Sequence, residues 1–142
     1  MKAMRYILIL LPLILLLSCA DAKVKEYGLE VVNEYPHDTD SYTQGLFFHG
    51  GQLYESTGVH GKSTFRKVDL ATGNALEKLN FDKKYFIEGS VFFEGNLYVL
   101  TWESRLAFVY DAETLRYKST WKYPREGWGI TTDGKQLIAS DG

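Results

Sequence analysis

Short apolar runs separated by glycine turns are the clearest pattern in the chain. Residues 42–58 read YTQGLFFHGGQLYESTG, with two apolar runs on either side of Gly50-Gly51. Such runs are typical of β-strands, and the glycine pair suits the positive φ angles of a tight hairpin turn. The pattern therefore predicts a hairpin, in which Gln44 and Gly45 stand where the first strand should begin.

The same hairpin pattern occurs three times. It returns as IEGSVFFEGNLYVLTW at 87–102 and as EGWGITTDGKQLIASDG at 126–142, so Gly45, Gly89 and Gly129 recur about 40 residues apart. Further turns are predicted at Gly95-Asn96 and Gly134. A fixed period of this size indicates a repeat architecture.

A second block repeats in phase with the hairpins. Residues 65–73 and 107–115 each run from an apolar strand into an Asp-x-x-Thr turn, and a further strand is expected near Ala75–Phe81 and near Tyr117–Tyr123. Four strands per unit of about 40 residues are typical of a β-propeller blade. Leu29–Tyr35 is expected to be an outer strand that completes the last blade.

The repeats predict an all-β domain over 29–142 that holds about two and a half blades. Residues 43–81 and 87–123 form two blades, and 126–142 form the first half of a third. Because an unclosed propeller leaves unpaired strand edges, we expect the natural chain to continue beyond Gly142. A small open sheet, or a fragment that closes by oligomerising, is the alternative.

Composition agrees with one globular domain. The 142 residues are 45% hydrophobic and 24% charged, and the 15% aromatic share favours strands. The net charge is −2, and Lys and Arg form no stripe that could neutralise a phosphate backbone. These features argue against nucleic acid as a partner.

The N-terminus has the pattern of an export signal. Lys2 and Arg5 precede an apolar run over residues 7–17, which is too short for a stable membrane span. Leu16-Leu17-Ser18-Cys19 resembles a bacterial lipobox, which predicts a lipoprotein signal over 1–19, a lipid anchor at Cys19 and a tether over 20–28. We expect a protein of the bacterial cell envelope, lipid-anchored or periplasmic; a plain cleavage site beside an unmodified cysteine is the alternative.

The residues that precede the repeated glycines are the candidate site. In a propeller the innermost strands begin at the central channel, which brings together Gln44, Glu88 and either Glu126 or Trp128. Gly45, Gly89 and Gly129 would then allow close backbone approach. Alternatively, such polar residues only cap strand ends or bind channel water.

Aromatic residues are expected at the same level. Tyr42, Phe86, Trp102 and Trp128 would surround Glu88, and burial of that kind raises a carboxyl pKa toward neutrality, as a general acid or base requires. Each Trp taken singly also fits an ordinary core position.

The sequence shows no motif for a metal site, a serine nucleophile or a phosphate site. His37, His49 and His60 do not have metal-ligand spacing, no G-x-S-x-G motif is present, and no helix follows the glycine turns to form a phosphate site. We therefore predict no metal and no cofactor.

Seven motifs in order resemble the glutamine cyclotransferases of the plant and bacterial type. They are Tyr-Thr-Gln-Gly-Leu (42–46), Leu-Tyr-Glu-Ser-Thr-Gly (53–58), Val-Asp-Leu-x-Thr-Gly (68–73), Phe-Ile-Glu-Gly (86–89), Leu-Thr-Trp (100–102), Phe-Val-Tyr-Asp (108–111) and Glu-Gly-Trp-Gly (126–129), and the chain closes on Ser-Asp-Gly (140–142). The resemblance covers essentially all of 29–142.

The resemblance implies a five-bladed propeller acyltransferase that converts the N-terminal glutamine of peptides and proteins to pyroglutamate and releases ammonia, without metal. It implies Glu88 as the catalytic residue. It also implies a substrate pocket lined by Gln44, Phe86, Trp102 and Trp128, with Tyr42 where the family often has Phe. Further pocket residues are expected from later blades.

The implied chemistry gives these residues expected roles. One Glu placed between both nitrogens could take a proton from the substrate amine and return it to the leaving amide nitrogen. An indole N–H of Trp102 or Trp128 could donate to the amide oxygen, and Gln44 could bind substrate backbone. Two rival hypotheses stay open: a non-catalytic propeller lipoprotein that binds a peptide or glycan, and an inactive half-propeller that assembles through its open edges.

Overall fold

The protein is all-β over the residues that the structure describes. The computed structural model describes residues 24–141, and the chain divides into a first compact unit that ends at Asn33 and a second unit, Glu34–Gly142. Residues 24–33 contain no helix or strand, and all ten strands lie in the second unit. The predicted all-β class is confirmed; the count of five blades stays a prediction.

Two four-stranded antiparallel sheets follow one another along the chain. The first contains β1 (Thr43–His49), β2 (Gln52–Thr57), β3 (Thr64–Val68) and β4 (Ala75–Asn80). The second contains β5 (Ile87–Phe93), β6 (Asn96–Thr101), β7 (Leu106–Asp111) and β8 (Tyr117–Lys122). In each sheet the spatial order follows the sequence order, as expected for propeller blades.

A two-stranded sheet follows, formed by β9 (Ile130–Thr132) and β10 (Leu137–Ala139). It corresponds to the predicted half blade. Leu29–Tyr35 forms no strand in the described structure, because strand geometry requires a hydrogen-bonded neighbour and none of the described strands pairs with that stretch. The last blade, with which the predicted outer strand would pair, is not among the described sheets, so that pairing stays a prediction.

The predicted turns are present with one shift of register. Gly50 and Gly51 have φ angles of 56° and 78°, while the second hairpin turns at Glu94 and Gly95, with φ angles of 47° and 70°. Asn96 already belongs to β6. In both Asp-x-x-Thr turns the aspartate accepts the Thr amide and hydroxyl, at 2.8 Å each in the first turn and at 3.0 and 2.9 Å in the second.

The main core lies between the first and second sheets. Aromatic rings of Tyr54 and Phe65 meet Phe92 edge to face, with centroids 4.8 and 5.9 Å apart. The buried members are Phe65, Ile87, Phe92, Leu97, Val99, Phe108 and Tyr110. Burial of these side chains supplies the main driving force that packs one sheet on the other.

Charged side chains hold the segment before β1 against the first sheet. Glu55, only 1% exposed, accepts the Thr43 hydroxyl at 2.5 Å and lies 2.9 Å from His37 Nε2. Arg66 donates to Asp38 at 2.9 Å, and this bond holds the pKa of Asp38 below its usual range. A carboxylate as deeply buried as Glu55 would be costly without such partners, so these contacts fix the chain immediately ahead of Gln44.

The innermost strands, which are the first strands of the three sheets (β1, β5 and β9), approach one another so closely that only glycine fits at two positions. A Cβ on Gly45 would lie 2.5 Å from Ser56 Oγ and 3.1 Å from the Ser90 nitrogen. A Cβ on Gly89 would lie 2.6 Å from the Trp128 carbonyl oxygen. The predicted close approach of backbone is confirmed at Gly45 and Gly89; neither has a positive φ, so space rather than backbone conformation requires them. At Gly129 it is not, because the only described neighbour of an added Cβ is the Ser140 hydroxyl, at 3.1 Å.

We predict that Gly89→Ala destabilises the domain. The added Cβ would also lie 2.7 Å from the Ile130 nitrogen, and both close contacts are with the backbone of residues 128–130, which cannot turn aside as a side chain could. Overpacking of this kind costs about 1–3 kcal/mol in the free energy of unfolding, which urea denaturation would measure. Gly28→Ala is the control, because no described atom lies within 4 Å of its added Cβ; equal midpoints for the two variants would contradict the prediction.

Candidate active site

β-Bulges at the start of two innermost strands place the polar candidates. The pairing of β1 with β2 is irregular between Thr43 and Gly45, which leaves Gln44 as an extra residue. The pairing of β5 with β6 is irregular between Ile87 and Ser90, the stretch that contains Glu88. Because a bulge redirects the side chains of a strand, both residues leave the regular alternation of the sheet at the same level.

One cleft of about 390 Å³ is lined by all the substrate and catalytic candidates from the sequence. Its lining residues are Tyr42, Gln44, Phe86, Glu88, Trp102 and Trp128. Tyr42 and Gln44 lie at the start of β1, and Phe86, Glu88 and Trp102 lie at the ends of β5 and β6. Trp128 comes from the loop before the third sheet. Cys19, the predicted lipidation site, lies outside the described residues.

Aromatic rings form a continuous wall of this cleft. The Phe86 ring lies edge to face with both Tyr42 and Trp102, at centroid distances of 6.4 and 5.5 Å. A backbone hydrogen bond at the same position of each repeat holds this wall. The Trp102 amide donates to the Phe86 carbonyl at 3.1 Å, and the Gly58 amide donates to the Tyr42 carbonyl at 2.9 Å. The repeat thus sets the height of the rings above both sheets.

Glu88 has a fixed backbone and an unpaired carboxyl group. The Ser56 hydroxyl of the first sheet donates to the Glu88 carbonyl oxygen at 2.7 Å. No donor within residues 24–141 hydrogen-bonds the Glu88 carboxylate, and burial raises the pKa of this carboxyl to about 7. A carboxyl of this kind can take up and release a proton near neutral pH.

Gln44 has a second environment besides the cleft. It also lines a channel of about 480 Å³ bordered by the innermost strands, including Gly45, Ser90 and Ile130. The Ser90 hydroxyl is buried there without a described partner. Gln44 therefore stands where the cleft and the channel meet.

Glu126 is a site residue whose contacts the sequence did not predict. Its Oε2 accepts the indole N–H of Trp102 at 2.9 Å and that of Trp128 at 3.4 Å. In this structure both indole N–H groups are therefore directed to Glu126, and donation from either to the substrate amide oxygen stays a prediction. The repeat carried a signal for Glu126, because it occupies the position equivalent to Tyr42 and Phe86, which form the wall in the other two units.

The histidines lie in three separate environments. His37 contacts Glu55, His49 packs on Phe92 with ring centroids 4.7 Å apart, and the exposed His60 lies edge to face with Phe86 at 5.6 Å. Within the described part of the chain, no three His, Cys, Asp or Glu side chains come together as metal ligands. Residues 24–141 also contain no helix long and apolar enough to span a membrane.

Comparison with known proteins relates the chain to enzymes. It is 46% identical over 129 residues to the glutaminyl-peptide cyclotransferase of Arabidopsis thaliana, an alignment that covers 88% of this chain and 40% of the relative. The crystal structure of Myxococcus xanthus glutaminyl cyclase matches with a TM-score of 0.72 and 34% identity, over 80% of this chain and 47% of that one. The chain thus spans less than half the length of both proteins.

A more distant match concerns the fold alone. A chain of Kuenenia stuttgartiensis hydrazine synthase aligns with a TM-score of 0.55 and 20% identity, over 78% of this chain and 32% of that one. The sequence model of the glutamine cyclotransferase family, in contrast, matches residues 6–142. The chain therefore belongs to the glutamine cyclotransferase family.

Proposed function

We propose that the whole protein cyclises the N-terminal glutamine of peptides and proteins to pyroglutamate and releases ammonia. The observation that carries the proposal is Glu88, whose carboxyl group accepts no hydrogen bond from residues 24–141 and whose pKa is raised to about 7 by burial in an aromatic cleft. The names of the Arabidopsis and Myxococcus relatives support the same reaction.

The reaction needs one group that moves a proton between two nitrogens. The substrate's α-amine nitrogen forms a bond to its own γ-carboxamide carbon and must lose a proton. The bond from that carbon to the amide nitrogen then breaks, and this nitrogen must gain a proton before it leaves as ammonia. Glu88 first accepts the amine proton and then delivers it, so that no water or oxidant is consumed.

The aromatic wall would hold the substrate in a folded shape. Attack requires the glutamine side chain to bend back on its own amine, a geometry that an extended peptide in water rarely adopts. Phe86, Trp102 and Trp128 provide apolar surface against which the bent methylene chain can pack. Gln44, which also lines the cleft, would hydrogen-bond the substrate backbone.

We predict that Glu88→Gln lowers ammonia release by roughly 10²–10⁴-fold in the natural full-length protein, because the amide cannot accept the amine proton. Release of ammonia and loss of its mass from a Gln-initiated peptide are the measurements. Glu103→Gln is the matched control, since Glu103 is exposed beside Trp102 and does not line the cleft.

Two outcomes would decide against the proposal. Wild-type turnover by Glu88→Gln would remove the acid and base role from Glu88. Peptide binding by the wild-type protein without any loss of ammonia would favour the rival hypothesis of a non-catalytic propeller.

We predict a pH-dependent stability difference between the wild type and Glu88→Gln. Folding raises the carboxyl pKa from 4.5 to about 7, so between these values the folded protein binds the proton more tightly than the unfolded chain. The wild type should therefore lose stability relative to the variant as pH rises from 4.5 to 7, and the difference should stay level above that. Urea unfolding of both proteins from pH 4 to pH 8 measures it, and a difference independent of pH would contradict the raised pKa.

We also propose that the protein is exported and anchored to the bacterial cell envelope by a lipid at Cys19. This proposal depends on the sequence of residues 1–19, where a charged start and an apolar run precede Ser18-Cys19. A lipid anchor would place the cleft where exported peptides with N-terminal glutamine pass.

We predict that Cys19→Ser abolishes incorporation of labelled fatty acid into the protein in the source cell, since the thiol is the expected acceptor. Ser18→Ala is the control and should keep the label, because a small residue is retained ahead of the cysteine. An unlabelled wild-type protein, or label that survives in Cys19→Ser, would contradict lipidation at this position.

A further inference from the structure

We infer that Glu126 is a positioning residue that fixes the orientation of Trp102 and Trp128 in the cleft. Its kinetic consequence rests on the proposed function; its structural consequence does not. Glu126 lines neither the cleft itself nor the channel, so its effect on a substrate would pass through the two indoles.

One carboxylate oxygen joins two indoles that belong to different repeats. Trp102 follows β6 of the second sheet, whereas Trp128 precedes β9 of the third. Glu126 Oε2 lies 2.9 Å from one indole nitrogen and 3.4 Å from the other. Hydrogen bonds to an ionised acceptor are stronger than neutral ones, so this bridge is a directional link across the boundary between repeats.

The backbone around Glu126 is held close enough to make the link rigid. Gly127 donates to the Thr101 carbonyl at 3.1 Å, and a Cβ on Gly127 would lie 2.7 Å from that oxygen and 2.8 Å from Leu100 Cβ. The segment is therefore pressed against the end of β6. The Trp128 backbone is held separately, since its carbonyl accepts the Gly89 amide at 2.8 Å.

The two indoles differ in how much they need this link. Trp102 packs on Phe86, but Trp128 is 47% exposed and has no ring partner among the described aromatic pairs. A half-exposed indole samples several rotamers unless a hydrogen bond selects one. Because both N–H groups point to Glu126, they are occupied, and the rings are left to act as apolar walls for the folded substrate.

Comparison of Glu126→Ala with Glu126→Gln tests this role. Alanine removes the acceptor, and we expect kcat/KM of the full-length protein to fall roughly 10- to 100-fold, as for other losses of substrate alignment. Glutamine keeps a carbonyl oxygen that can accept both indole N–H groups, so it should retain at least several-fold more kcat/KM than alanine. Glu103→Ala is the control for loss of a nearby exposed carboxylate.

Tryptophan emission gives a readout that does not depend on catalysis. Residues 1–142 contain three Trp residues, so Trp121→Phe leaves Trp102 and Trp128 as the emitting indoles of this stretch, and differences in emission between Glu126 variants in that background report on them. Glu126→Ala should change the emission maximum and intensity, while Glu126→Gln should stay close to the background protein. Unchanged emission in Glu126→Ala would overturn the positioning role even if the protein proved to have no cyclase activity.

A double-mutant cycle with Trp102→Phe completes the test. If Glu126 acts through the indole, the combined variant should lose much less kcat/KM than the product of the two single losses. Fully multiplicative losses would overturn the inference. A second result would also overturn it: a Glu126→Gln variant with normal emission that loses as much kcat/KM as Glu126→Ala. That result would mean that the negative charge of Glu126 binds the substrate's α-ammonium group directly.

Discussion

The close approach of neighbouring innermost strands is the constraint on which the candidate site depends. A Cβ on Gly45 would meet the Ser56 hydroxyl of the same sheet at 2.5 Å and the Ser90 nitrogen of the next sheet at 3.1 Å, and a Cβ on Gly89 would meet the backbone of the third repeat at 2.6 Å. Packing this tight brings the residue before each glycine, Gln44 or Glu88, to the boundary between two sheets. A bulkier residue at either glycine would separate the sheets and widen the cleft, so the site and the stability of the domain share one cause.

The same close approach explains how the backbone of Glu88 is held. The Ser56 hydroxyl occupies the space that a Cβ on Gly45 would fill, and from there it reaches the Glu88 carbonyl. The first sheet thus supports a residue of the second sheet through a side chain that only a glycine admits. Because the support acts on the carbonyl, it fixes the position of Glu88 without donating to its carboxyl group, which stays free to exchange protons.

Much of this arrangement could be predicted from local sequence patterns, and the rest could not for a physical reason. Apolar alternation, turn glycines and the period of about 40 residues predicted the eight strands of the two complete sheets, since these signals lie within one unit. The bulge at Gln44 depends on register between strands, and the bond from Trp102 to Glu126 joins residues 24 apart in sequence. Leu29–Tyr35 forms no strand among the described residues for a related reason: strand propensity is local, but a strand forms only where a neighbour pairs with it.

Glu88 and Glu126 show how one cleft can use two carboxylates differently. The Glu88 carboxyl group is partly withdrawn from water and accepts no hydrogen bond from the described residues, so its neutral form is favoured and its pKa rises to about 7. One carboxylate oxygen of Glu126 accepts hydrogen bonds from two indole N–H groups of adjacent repeats. A group held by two donors cannot approach two substrate nitrogens in turn without breaking those bonds, whereas an unpaired carboxyl can. The surrounding residues of the described chain leave the Glu88 carboxyl without a hydrogen bond and hold the Glu126 carboxylate with two. Glu88 is therefore suited to proton transfer and Glu126 to alignment of the indoles.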